Sequence, residues 1–170
     1  TWQVACRESQ VRNPGDYFVY DIVNDSILLT RTEEGELKGF YNSCLHRGRV
    51  LKRGSGNSEE LRCPFHGWHF DRTGQCVEQP VEPEGSRMHE NIMVPSYPVV
   101  EQNGVIFAYM GPGDPPPFPA LDCFAAPDTH VFAFKGLWEC NWLQAMEVGI
   151  DPAHASFLHR FLEDEDPEDS

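Results

Sequence analysis

The sequence predicts a mainly β domain of antiparallel sheets, followed by the start of a second domain of α+β class. Three observations carry this. Short β-rich runs alternate with turn residues as far as Met110. The stretch Gly111 to Pro119 then holds five prolines and admits neither helix nor central strand. Beyond it, apolar residues at 142, 143, 145, 146 and 148 follow a helical period. The first domain is therefore placed at residues 1–111, a semi-rigid linker at 112–119, and the opening of the second domain at 120–170.

The elements follow in order. Asn13-Pro14-Gly15-Asp16 is a tight turn ahead of a strand from Tyr17 to Val23. Asn24-Asp25 turns the chain into a strand over Ile27–Arg31, and Glu34-Gly35 turns it again into Leu37–Tyr41. Gly54 to Ser58 reads as a flexible tip, Phe70 to Gly74 as the close of a hairpin, and Gln79 to Gly85 as a loop. Asn103-Gly104, between β-rich runs 97–102 and 105–110, is the strongest hairpin signal in the chain. Past the linker, Thr129 to Cys140 alternates as one strand. Asn141 to Gly149 reads as a short helix buried over much of its surface. Asp151 as N-cap and Pro152 as first residue start a second helix running to about Leu162.

A length of 170 residues allows one or two domains. The net charge is −14, with six acids between Glu163 and Asp169, a run expected to be solvated and mobile over residues 163–170. This acidity argues against nucleic acid as a partner. No apolar run reaches membrane-spanning length, and no secretory leader opens the sequence, so a cytoplasmic location is expected. Cys6, Cys76, Cys123 and Cys140 show no disulfide spacing and are expected as free thiols.

The chemistry is concentrated in Cys44-Leu45-His46-Arg47-Gly48 and Cys63-Pro64-Phe65-His66-Gly67-Trp68, together C-x-H-x16-C-x-x-H. Two thiols and two imidazoles in two short loops are a metal site by donor chemistry. Zinc sites of this composition usually pair like with like, whereas each loop here mixes the two donors. That suits a two-iron cluster better, with both thiolates on one iron and both imidazoles on the other. Gly48 and Gly67 leave backbone N–H groups free to turn toward bridging sulfides. Arg47, Arg49, Lys52 and Arg53 add positive charge; Lys52 and Arg53 read as a solvated face, and Arg47 could meet a carboxylate across an interface.

Through C-L-H-R-G and C-P-F-H-G-W the sequence resembles the Rieske [2Fe-2S] family. That resemblance implies Cys44 and Cys63 on one iron, His46 and His66 on the other. Arg49 and Phe65 stand where the respiratory branch carries a disulfide, and Trp68 resembles the oxygenase and soluble ferredoxin branch.

A second constellation, Asp151-x-x-His154-x4-His159, offers two imidazoles and a carboxylate at a helix start. Non-haem Fe(II) oxygenases use two His and one carboxylate. On an ideal helix, histidines five apart lie about 140° out of phase, so the helix must be distorted or the metal must lie off its axis. The alternative role for Asp151 is that of a helix cap alone. The segment from Asn141 to His159 resembles the iron-binding segment of Rieske aromatic-ring-hydroxylating oxygenase α subunits, nearest the phthalate-dioxygenase-like branch.

The resemblance implies a helix-grip catalytic domain, a mononuclear Fe(II) on His154 and His159, and Asp151 coupling that iron to the Rieske cluster of a neighbouring subunit. It also implies a third carboxylate ligand beyond residue 170, so the chain is expected to be an N-terminal piece of a longer protein. The implied activity uses O2 for ring dihydroxylation, hydroxylation or O-demethylation of an aromatic substrate. Electrons would come from NAD(P)H through a reductase and/or ferredoxin, within a homo-trimer or hexamer. The alternative is a Rieske-type ferredoxin that only carries electrons.

Overall fold

The computed structural model describes residues 1–134, 136 and 138–159. Contacts divide the chain into two compact units, Thr1–Lys135 and Gly136–Ser170.

The first unit is antiparallel β throughout. Its strands are β1 (Trp2–Arg7), β2 (Asp16–Ile22), β3 (Asp25–Arg31), β4 (Leu37–Tyr41), β5 (Ser55–Asn57), β6 (Leu61–Arg62), β7 (His69–Phe70), β8 (Cys76–Glu78), β9 (Ser96–Tyr97), β10 (Val99–Gln102) and β11 (Val105–Tyr109). They form a central sheet ordered β5-β2-β3-β4-β9 and two three-stranded sheets, β1-β11-β10 and β6-β7-β8. The central sheet is covered on both faces. Leu28 joins one core with Phe40, Leu61, Trp68 and Phe70, while Ile27 and Leu29 join the other with Ala5, Val11, Ile106 and Ala108. Successive residues of a strand point to opposite faces, so the unbroken apolar run of β3 is what a twice-covered strand requires.

The Asn103-Gly104 hairpin forms as predicted, both residues having positive φ, 49° and 74°. The first hairpin is shifted by one residue from its predicted turn. Ile22 pairs with Asp25, so Val23 and Asn24 make the turn and Val23 takes a φ of 54°. The strand predicted over Thr129–Cys140 is absent among the described residues: a short 3-10 turn spans Asp128–His130, and Phe132 and Phe134 stack on each other, largely exposed. Their alternation has no neighbouring strand to pair with, and alternation alone does not make a strand.

The proline-rich stretch is neither helix nor strand, and aromatic contacts hold it on the first sheet. Phe118 lies 5.4 Å from Trp2 and 4.7 Å from Phe107, and Trp2 Nε1 donates to the Pro116 carbonyl at 3.3 Å.

Gly74 sits in the β7–β8 turn with a φ of +90°, and a Cβ there would lie 2.7 Å from the buried Phe40 ring. Gly74→Ala combines a left-handed backbone with overpacking. We expect it to cost roughly 2–4 kcal/mol, read as a lowered urea midpoint at unchanged slope.

In the second unit, α1 (Trp142–Ile150) and α2 (Pro152–Leu158) form where helices are predicted. Their apolar side chains are exposed rather than buried, Trp142, Ile150, Phe157 and Leu158 among them. The expected burial of α1 is thus not met in this unit, whose described residues offer nothing large enough to cover the helix. The predicted extension of α2 to about Leu162, and the acidic run, lie outside the described residues. No helix among the described residues is long and apolar enough to cross a membrane.

Candidate metal centre

Two loops of the same construction carry the four predicted donors. In the first, Gly48 N–H bonds the Cys44 carbonyl at 2.9 Å and Cys44 N–H bonds the Arg49 carbonyl at 2.8 Å. In the second, Gly67 N–H bonds the Cys63 carbonyl at 3.1 Å and Cys63 N–H bonds the Trp68 carbonyl at 2.8 Å. Each turn closes on a left-handed glycine, Gly48 at 67° and Gly67 at 74°, a conformation costly to other residues. The loops are anchored differently. Buried Asn42 ties the first down, donating to the Ser26 hydroxyl and Lys52 carbonyl and accepting from the Lys52 N–H. The β6-β7-β8 sheet carries the second.

The loops bring the donors together as like pairs. Cys44 and Cys63 are each 2% exposed and interact directly. Burial, with Cys63 alongside, pushes the Cys44 thiol up to about 11, offset in part by N–H groups of His46 and Arg47 directed at its sulfur. A thiol held that high keeps its proton at neutral pH until a metal displaces it into solvent, so loading of the site is proton-coupled. The His46 and His66 rings lie 4.6 Å apart. Burial first, then His46 and Arg47, hold His66 below the usual imidazole range, which keeps it neutral and able to ligate.

One further observation tests the fit of a two-iron cluster. His46 Nδ1 is buried and has no hydrogen-bond partner, as a nitrogen reserved for metal would be. A Rieske cluster needs two thiolates on one iron and two imidazoles on the other, the like pairing found here. The donor set fits the cluster. Residues 1–98 match the Rieske [2Fe-2S] domain family.

The chain belongs to the Rieske family.

Its relatives include the oxygenase subunit of tert-butanol monooxygenase / tert-amyl alcohol desaturase from Aquincola tertiaricarbonis, 35% identical over 93% of this chain and 34% of that one. The phthalate 4,5-dioxygenase oxygenase subunit of Pseudomonas putida is 33% identical over 93% of this chain and 36% of the relative. Among solved structures, naphthalene 1,2-dioxygenase with indole bound is similar with a TM-score of 0.62 and 26% identity, over 68% of this chain and 27% of that one. The chain thus spans about a third of the length of these curated relatives.

Around the Rieske loops, Arg47 and Arg49 line an open groove of about 440 Å³ with Gly48, Pro64 and Phe65. Arg53 is exposed as expected, but Lys52 is half-buried: its ammonium donates to the Ser58 hydroxyl at 2.9 Å and lies 5.3 Å from the Tyr17 ring centroid. The ammonium sits over the ring face, a cation–π contact that a solvated-face reading omits. Trp68 does more than sequence reasoning assigned it, since its indole stacks on His46 at 4.8 Å and 8°. The signal lay in its position two residues past a ligand, where a strand begins.

The second constellation lies wholly in the second unit. Asn141 caps α1, accepting from Leu143 and Gln144 N–H, and Asp151 caps α2, accepting from Ala153 N–H at 2.8 Å. The other Asp151 oxygen lies 3.8 Å from His154 Nδ1, a nitrogen that is buried without a hydrogen-bond partner. His159 is not in the helix but at its C-cap, with φ −112° and ψ 5°. Leaving the helix removes the phase mismatch, and the two imidazoles meet with centroids 5.3 Å apart. No third carboxylate joins them among the described residues.

Proposed function

We propose that this chain contributes the Rieske domain and the two-histidine half of the mononuclear iron site to the oxygenase component of a multicomponent Rieske oxygenase. Cys44 and Cys63 hold one cluster iron, His46 and His66 the other, and His154 and His159 hold the mononuclear Fe(II). When bound, these groups supply single-electron transfer and activation of O2. The chain's own residues do the rest. The two loops shield the thiolates and keep His66 neutral, Asp151 orients His154 while capping α2, and the C-cap turn aims His159 back at His154.

The observation that carries this reading is the meeting of His154 and His159, each placed by a separate device at the end of one helix. A carrier of the ferredoxin type has no use for such a pair. Reductase and/or ferredoxin partners, NAD(P)H as indirect donor, and a trimer or hexamer belong to the same proposal. An aromatic substrate is supported by the phthalate and naphthalene relatives, while the tert-butanol relative favours a tertiary alcohol as second reading.

The test is iron, zinc and acid-labile sulfide on the intact natural protein. About three irons to two sulfides per chain are expected. A ratio that stays at two to two after Fe(II) is added would leave only the electron carrier, and zinc without sulfide would remove the cluster assignment.

A further inference from the structure

Three buried polar groups near the cluster loops have no partner: Trp68 Nε1 and both amide atoms of Gln79. Trp68 is 4% exposed and Gln79 7%, so bulk water satisfies neither. An orphaned buried donor or acceptor costs about 1–3 kcal/mol, so three on two neighbouring side chains call for a physical reason.

The end of a β-ladder brings them near each other. His69 on β7 pairs with Glu78 on β8 as the last pair of that ladder, and Trp68 and Gln79 are the residues just beyond it on the two chains. One residue further out the two chains are still side by side, since a Cβ on Gly67 would touch the Pro80 ring at 3.2 Å. Gln79 therefore stands beside the indole whose plane lies against the His46 imidazole.

We propose that Gln79 is a positioning residue for the Rieske cluster. One internal water bridges its carboxamide and the Trp68 N–H, and the pair so holds the indole flat against His46. The donors and acceptors match, since a water can accept from the indole N–H while bonding either the oxygen or the N–H groups of the carboxamide. Groups that orient a ligand imidazole tune the metal behind it, so this pair sets part of the cluster's reduction potential. The proposal rests on His46 being a cluster ligand.

The test is a double-mutant cycle on the cluster-loaded protein, read by midpoint potential and by the EPR spectrum of the reduced cluster. Gln79→Leu removes the carboxamide, and Trp68→Phe removes the N–H while keeping an aromatic ring. Each variant is expected to shift the potential at unchanged iron and sulfide content, and the double variant to shift it no further than Trp68→Phe alone. Unchanged potential and spectrum in Gln79→Leu, or strictly additive shifts, would overturn the proposal. If Gln79→Leu does not fold, Trp68→Phe with an unmoved potential has the same force. Iron and sulfide in the unaltered protein separate the two levels, since their absence removes the ligand assignment itself, whereas a loaded cluster with an unmoved potential removes only Gln79.

Discussion

Cys63→Ala is expected to yield a folded protein that holds no cluster. Cys63 is 2% exposed and lies in the core formed by Leu28, Phe40, Leu61, Trp68 and Phe70. Losing its sulfur leaves a small cavity, worth on the order of 1–2 kcal/mol, which that core can absorb. The loss to the metal site is far larger. Removing a group that merely supports a ligand costs about 10–100-fold in metal affinity, and here one of two thiolates disappears outright. Iron and acid-labile sulfide should fall to background while far-UV circular dichroism is unchanged. Cys76→Ala is the control: Cys76 is fully buried in the same core, and its sulfur faces only the Glu78 carbonyl, at 3.7 Å. That variant should keep its cluster. Equal cluster loss in both would reduce Cys63 to a packing residue.

His154→Ala is expected to abolish turnover, by at least about 100-fold, and to leave the cluster's visible spectrum untouched. The variant removes the imidazole that Asp151 faces, whereas all four proposed cluster donors lie between residues 44 and 66. The cap of α2 survives, because Asp151 still accepts from the Ala153 N–H. The full-length protein with its electron donor is the material, assayed by O2 consumption and by iron content. Normal turnover in His154→Ala would mean that the two histidines are structural.

What the sequence revealed and what it hid follow physical lines. Asn103-Gly104 was legible because both residues tolerate positive φ, so local chemistry and turn geometry agree. The turn at Val23 was not, because a β-branched residue is a poor choice for a φ of 54°; there the strand pairing sets the turn. The four donors of the first site stood out as spaced residue types already divided into a thiolate pair and an imidazole pair, and the fold adds the distances within each pair. The histidines of the second site were legible as residues and ambiguous as geometry, since only the end of α2 before His159 lets them meet. Gln79 was invisible, because an amide in a Pro- and Glu-rich stretch reads as solvated loop until the fold buries it.

The pairing of β1 with β11, Trp2 against Tyr109, has a bearing on biosynthesis. Once made, β1 finds its partner only after a further hundred or so residues have left the ribosome. Contacts so distant in sequence make assembly slow. Both loops of the proposed cluster site are synthesised, and their four candidate donors available, while Ala5 and Cys6 still wait for Ile106 and Ala108 to complete the second core. Iron delivered during translation would thus meet an unclosed protein, and deletion of the first seven residues would leave one edge of β11 permanently open to association with other chains.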